Sequence, residues 1–324
     1  MEAIESVKYL ARLEAVKLKP KEEHELTEGV PYFSLKSTDE HTDVCVHAYQ
    51  KHDNANRMAF IAEYLTKRVF PFIKDMKGLD GYYSIELHDS YSYLQNTNDY
   101  TGCLTWSKRK EDNHVVCIPD VYHLVNYHEN LNKFNDTLTW GSKIDKIGFW
   151  GTTTGNRVPK LNARINTCLW GLSYPDDTMF KITKVAQMHP GDVLAQIPNF
   201  QNIYNAAGLV SPHEMFKYKF LLDIPGNTCS WDRVPLIMQS NSLLFKMPCR
   251  DMCFYYPLMH SGTHYVDVDT NTMLNQKNYY LNNPKEAGFI IANANHFAKT
   301  FFNDTIANMY LIELFNHCAH LNAA

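Results

Sequence analysis

The chain has 324 residues, 45% of them hydrophobic and 20% charged, a balance that belongs to folded protein and excludes disorder. Its net charge of -4 and the lack of any apolar run near 20 residues argue against a basic nucleic-acid-binding surface and against a helical membrane span. The length allows one large domain or two ordinary ones.

The first segment, Met1 to Lys19, places Ile4, Val7, Leu10, Leu13 and Val16 at helical spacing with charges between them. It reads as an amphipathic helix docked on the protein's own core rather than as a signal peptide, which needs an unbroken apolar segment. With no secretion signal, the eight scattered cysteines are expected as free thiols. Val44 to Tyr49 alternates like a strand, Arg57 to Lys74 has helical periodicity, and Gly81 to Leu87 is a β-rich run closed by His88, Asp89 and Ser90. Gly102 to Trp106 and Val115 to Pro119 read as further buried strands.

From Lys143 a strand runs into the loop GTTTGNR, Gly151 to Arg157, and a helix is expected from about Val158 to Leu172. Strands follow at Met179 to Ala186 and Lys217 to Ile224, a helix from about Asp232 to Ser240, then the short strands LLFKM and HYVDV. The chain closes with helices at Pro284 to Phe302 and Asp304 to Leu321. Strands alternating with helices predict parallel sheets.

Two stretches carry chemistry. In KYKFLLDIPGNTCSWDR a buried strand ends in the turn Pro225-Gly226-Asn227 and leads to Ser230, Trp231, Asp232 and Arg233 at the expected start of a helix. Ligands of open α/β sheets bind beyond the carboxyl ends of strands. A helix N-terminus offers free N–H groups, and arginine offers a fixed, permanently charged fork for two phosphate oxygens. The pattern fits a diphosphate; the plainer alternative is an N-capping Ser or Asp with Arg233 in a surface ion pair. GTTTGNR is similar in kind: hydroxyls, glycines and one arginine follow a strand, without the Gly-Lys-Ser/Thr ending of a P-loop.

FWGTTTGNR, the stretch from Lys217 to Lys246 and YYPLMHSGTHYVDV together resemble the successive signatures of glycosyltransferase family 90. Its members include protein O-glucosyltransferases of the Rumi type, capsule-associated xylosyltransferases and lipopolysaccharide-modifying enzymes. The resemblance implies an α/β, GT-B fold with two Rossmann-like lobes facing a cleft. Residues 1–140 would form the acceptor lobe, 141–302 the nucleotide-sugar lobe, and 303–324 a C-terminal helix returning to the first lobe. By position it implies donor-phosphate contacts from Thr152 and Arg157, and from Ser230 and Arg233, with Gly151, Asn227 and Trp231 beside them. The spacing after Ser230 differs by about one residue from the animal enzymes.

The resemblance also implies a catalytic Asp after a strand of the first lobe, and YSIELHDSY puts Asp89 there, although Ser90 stands where animal members often have Pro. Asp89 would take the proton of an acceptor hydroxyl in an inverting transfer from a UDP-sugar, glucose or xylose, to a glycan or glycoprotein. No metal or other cofactor is expected: Asp267-Val-Asp269 resembles a DxD metal motif, but it sits in the family's late strand. Arg157, Arg233 and helix N-termini would then stabilise the leaving diphosphate. A non-catalytic sugar- or nucleotide-binding protein on the same scaffold is the alternative, and an unrelated α/β enzyme of a phosphorylated ligand is a third. The expected setting is the cytoplasm of a bacterium, or of a host cell if the chain is viral. No nucleic-acid partner and no transmembrane segment are expected, and the sequence carries no sign of oligomeric state.

Overall fold

Contacts divide the chain into two units: residues 1–126, 251–256 and 303–324 form the first, and 127–250 with 257–302 form the second. The structure, a computed structural model, describes residues 2–18, 20–22, 32–37, 42–47, 55–86, 102–125 and 134–323.

In unit 1, α1 (Glu2–Ala15) lies along the C-terminal helix Asp304–Ala323. The face it buries is not the expected one. Val7, Ala11, Ala15 and Leu18 are buried, whereas Ile4, Leu13 and Val16 are exposed. Ala11, Ala15 and Ala319 are buried where the two helices pack. Arg12 pairs with Glu313 at 2.5 Å, and Tyr310 donates to the carbonyl of Cys117 at 2.7 Å.

The five-stranded sheet of unit 1 uses β1 (Tyr32–Ser37), β2 (Thr42–His47), β3 (Gly81–Glu86), β4 (Leu104–Thr105) and β5 (Val116–Cys117), in the order β2-β1-β3-β4-β5. β1 is antiparallel to both β2 and β3, while β3, β4 and β5 run parallel. The link from Ser37 to Thr42 is far too short for a crossover, so those two strands can meet only as a hairpin. The helix expected from Arg57 to Lys74 is α2, Ala55–Arg68, which gives way to a 3-10 turn at Phe70–Phe72 where Pro71 supplies no N–H.

Unit 2 has a five-stranded, all-parallel sheet: β6 (Ile144–Thr152), β7 (Thr178–Lys184), β8 (Tyr218–Asp223), β9 (Leu243–Lys246) and β10 (Val266–Asp267), in the order β10-β9-β8-β6-β7. Apolar residues fill both faces, as parallel sheets require. Ile147, Phe149, Phe180, Phe220 and Phe245 pack with Ile165 of α3 (Ala163–Gly171) and with Ile290 of a late helix, Pro284–Phe301. The α/β class and two-unit organisation expected of a GT-B glycosyltransferase are present. Asp136 belongs to unit 2. Its carboxylate holds buried Lys143 at 2.6 Å and accepts from the Asn241 N–H at 2.7 Å, which ties the approach segment to unit 2. All eight cysteines are free. Among the described residues no helix is long and apolar enough to cross a membrane.

The strand order places the two singled-out turns side by side. From β6 the chain crosses to β7 on one side; from β8 it crosses to β9 on the other. Neighbouring strands whose chains leave in opposite directions form a topological switch point, where the loops part and leave a crevice beyond the strand ends. The pairing of β6 with β8 stops at Gly148 and Leu221, so both strand ends diverge beyond it.

Candidate functional site

The centre of the site is Asp223, the last residue of β8, almost wholly buried at 1% exposure. Its Oδ1 accepts the Ser230 hydroxyl at 2.5 Å and lies 3.9 Å from Nη1 of Arg233. An aspartate closing an apolar strand draws the following turn back onto itself, so Ser230 and Arg233 converge on the strand end they have just left. Arg233 reaches across to β6: Nη2 donates to the Trp150 carbonyl at 3.0 Å, and the guanidinium stacks over the Phe149 ring at 4.7 Å. Gly151 leaves room for it, because a Cβ there would stand 2.9 Å from Nη2. Nη1 of Arg233 is buried and has no hydrogen-bond partner among the described residues.

The loop after β6 is tied to the loop after β8. The Gly155 N–H donates to Asn227 Oδ1 at 3.0 Å. Thr152 and Thr154 share a hydroxyl bond at 3.3 Å. Asn162 caps α3 by accepting from the Ile165 N–H, and its own amide donates to the carbonyls of Thr153 and Asn156, both at 2.9 Å. Arg164, buried in the first turn of α3, lies near enough to Arg233 for their charges to repel. Burial first, and Arg233 second, push the Arg164 guanidinium down to about 9, so it remains cationic at neutral pH. Two guanidiniums thus face one buried carboxylate, since the neighbouring Asp232 is exposed.

Of the residues expected at the site, Gly151, Thr152, Asn227, Ser230 and Arg233 lie at this switch point, with half-buried Trp231 between Ser230 and Arg233. Arg157 is exposed at the far end of its loop, next to the 3-10 turn Pro159–Leu161. Asp89 lies outside the described residues. The helix expected to begin at Asp232 runs only from Arg233 to Met238, and Asp232 makes no side-chain cap bond. Ser230 stands upstream of it with its proton given to Asp223. Arg233 is not in a surface ion pair: its partner Asp223 is buried. Asp223 and Arg164 were not singled out in the sequence. The signal was there: each is a charged residue at a position the apolar period assigns to the core.

Of the Asp267-Val-Asp269 pair, Asp269 bonds within the chain itself. Asp269 accepts from the N–H groups of Asn271 and Thr272, each at 2.8 Å, ahead of the helix Met273–Asn282, and these bonds with the Thr272 hydroxyl hold its carboxyl below the usual range. Among the described residues no three His, Cys, Asp or Glu side chains gather as metal ligands.

A family model described as "Glycosyl transferase family 90" matches residues 120–324, more than half of the sequence and all of unit 2 that the structure describes. The chain belongs to glycosyltransferase family 90. No protein of curated function matches it by sequence. Solved structures similar to it include Anabaena HepE in complex with UDP-glucose, 11% identical over 74% of this chain and 65% of that one, with a TM-score of 0.44. A glycosyltransferase from Rickettsia africae is 12% identical over 84% and 83% of the two chains, at a TM-score of 0.43. The C-terminal domain of the group 1 glycosyltransferase LpcC from Francisella tularensis is 10% identical, over 58% of this chain and 96% of that domain, at 0.34.

Proposed function

We propose that this glycosyltransferase takes its sugar, glucose or xylose, from a UDP donor and passes it with inversion to a hydroxyl of a glycan or glycoprotein. The observation that carries the reading is Nη1 of Arg233 at the switch point of the parallel sheet, which is buried, lies 3.9 Å from Asp223 and makes no hydrogen bond among the described residues. A buried cationic donor without a hydrogen bond is costly, and a diphosphate oxygen would supply one. Trp150 O, Phe149 and Asp223 already fix the direction of the fork. Thr152, Asn227 and Arg157 line or flank the same loops, and Ser230 holds its turn through Asp223.

In the reaction the acceptor oxygen bonds to the anomeric carbon while the carbon–oxygen bond to the diphosphate breaks. The bonding pair and its negative charge leave with UDP, where Arg233 meets them. The acceptor proton goes to a carboxylate, for which Asp89, following β3 in sequence, is our assignment. The leaving group is stabilised by side-chain cations without a metal.

Donor consumption assayed across UDP-, GDP- and ADP-sugars, with and without acceptor glycans, tests the proposal. It expects turnover with UDP-glucose or UDP-xylose and UDP binding by calorimetry. A folded protein that neither binds UDP nor consumes any UDP-sugar would overturn it.

A further inference from the structure

The ends of β6 and β8 diverge at the site, and divergence leaves backbone carbonyls without a neighbouring strand to bond them. Arg164 takes over that role. Its Nε and Nη2 both donate to the Ile224 carbonyl beyond β8, at 3.1 and 3.0 Å, and its Nη1 donates to the Thr152 carbonyl ending β6 at 3.2 Å and to the Thr154 hydroxyl at 2.5 Å. One planar fork therefore spans the gap in the sheet where the ladder has stopped. The next turn is built against it, since a Cβ on Gly226 would stand 3.0 Å from Nη2 and 2.7 Å from the Thr154 hydroxyl. The fork is itself held at the start of α3, where Asn162 binds the carbonyls of Thr153 and Asn156.

Resting on the UDP-sugar reading above, we infer that Arg164 is a positioning residue for the donor diphosphate: it sets the separation of the two strand-end loops and so places Arg233 and Thr152. It does not touch the donor. All three guanidinium nitrogens are already committed to the two loops, and the side chain is buried at 7% exposure. Its charge adds to the same purpose, since Arg164 and Arg233 repel each other and a diphosphate beside Arg233 would relieve that repulsion.

Arg164→Lys separates geometry from charge, because a lysine keeps the cation but cannot form the fork. Displacement of ligand-holding groups by about 1 Å is worth about a hundredfold in favourable cases. We expect UDP to bind Arg164→Lys at least about tenfold more weakly, with UMP affinity within about twofold of the wild type, because the loss is confined to diphosphate placement. Thr154→Val, which removes one acceptor of the fork and keeps the volume, gives the same selective loss in smaller measure and guards against a misfolded lysine variant. A folded Arg164→Lys or Thr154→Val protein with unchanged UDP affinity would overturn the assignment, as would equal losses for UMP and UDP, which mark a general structural role. If wild-type protein binds no UDP, the donor reading itself fails. If wild type binds UDP and Arg233→Ala weakens it while both Arg164→Lys and Thr154→Val do not, only the inference about Arg164 fails.

Discussion

Removing Arg233 should separate ligand binding from stability in one substitution. In Arg233→Ala the donor loses a charge-assisted bond to its diphosphate, an interaction worth about 1.5–3 kcal/mol. UDP should therefore bind roughly 10- to 150-fold more weakly. The fold loses much less. One bond to the Trp150 carbonyl goes, worth about 1 kcal/mol. Stacking over Phe149 goes too, at about 0.5–1 kcal/mol. The long ion pair to Asp223, at 3.9 Å, goes as well, but the repulsion that Arg233 exerts on Arg164 disappears and Asp223 keeps the Ser230 hydroxyl. A net cost of about 1–2 kcal/mol corresponds to a fall in Tm of about 2–8 °C for a unit of this size. Calorimetry with UDP, read beside a thermal melt, gives both quantities. If the variant melts a few degrees lower and binds UDP within about twofold of the wild type, Arg233 is a structural brace and the diphosphate lies elsewhere.

Asp89→Asn keeps the shape and removes the base, so turnover should drop by about 10² or more while UDP affinity holds; turnover within a few-fold of wild type would move the base to another carboxylate. The anomeric proton of the wild-type product, read by NMR, should show the configuration opposite to the donor's, and retention would rule out a single displacement. Saturating EDTA should leave donor consumption unchanged, whereas loss of activity restored by Mn²⁺ would make a metal part of the site. Asp269, whose carboxyl is held below its ordinary value by the bonds from Thr272 and Asn271, should stabilise the fold fully above about pH 4 and progressively less as pH falls through its lowered value. The Tm gap between wild type and Asp269→Asn should accordingly be widest at neutral pH and close in acid; a gap constant with pH would refute the capping role.

The strands and turns of unit 2 were legible because each is a local pattern. The segment from Lys217 to Ile224, with Phe220, Leu221 and Leu222 at its centre, reads as a buried strand, and Pro225-Gly226-Asn227 reads as its turn. What the sequence does not carry is adjacency. That β6 neighbours β8, so that the turns after them lie side by side, follows from the sheet order, which is set by packing between residues far apart in sequence, as the Arg164 to Ile224 bond shows with a separation of 60. The buried face of α1 escaped for the related reason that it is set by packing against the distant C-terminal helix, which buries Ala11 and Ala15 and leaves Leu13 exposed. The site itself was half legible. Hydroxyls, glycines and Arg233 announce an anion, yet the pieces that aim them, Asp223 and Arg164, look like misplaced charges in an apolar strand and an apolar helix face. Such a misfit is informative. A buried charge persists only where it is paired or hydrogen-bonded. Here each charge is held differently: every guanidinium nitrogen of Arg164 donates at least one bond, Asp223 is shared between the Ser230 hydroxyl and the Arg233 guanidinium, and Nη1 of Arg233 makes no hydrogen bond among the described residues. That Nη1, 3.9 Å from Asp223, is the atom our proposal assigns to a diphosphate oxygen.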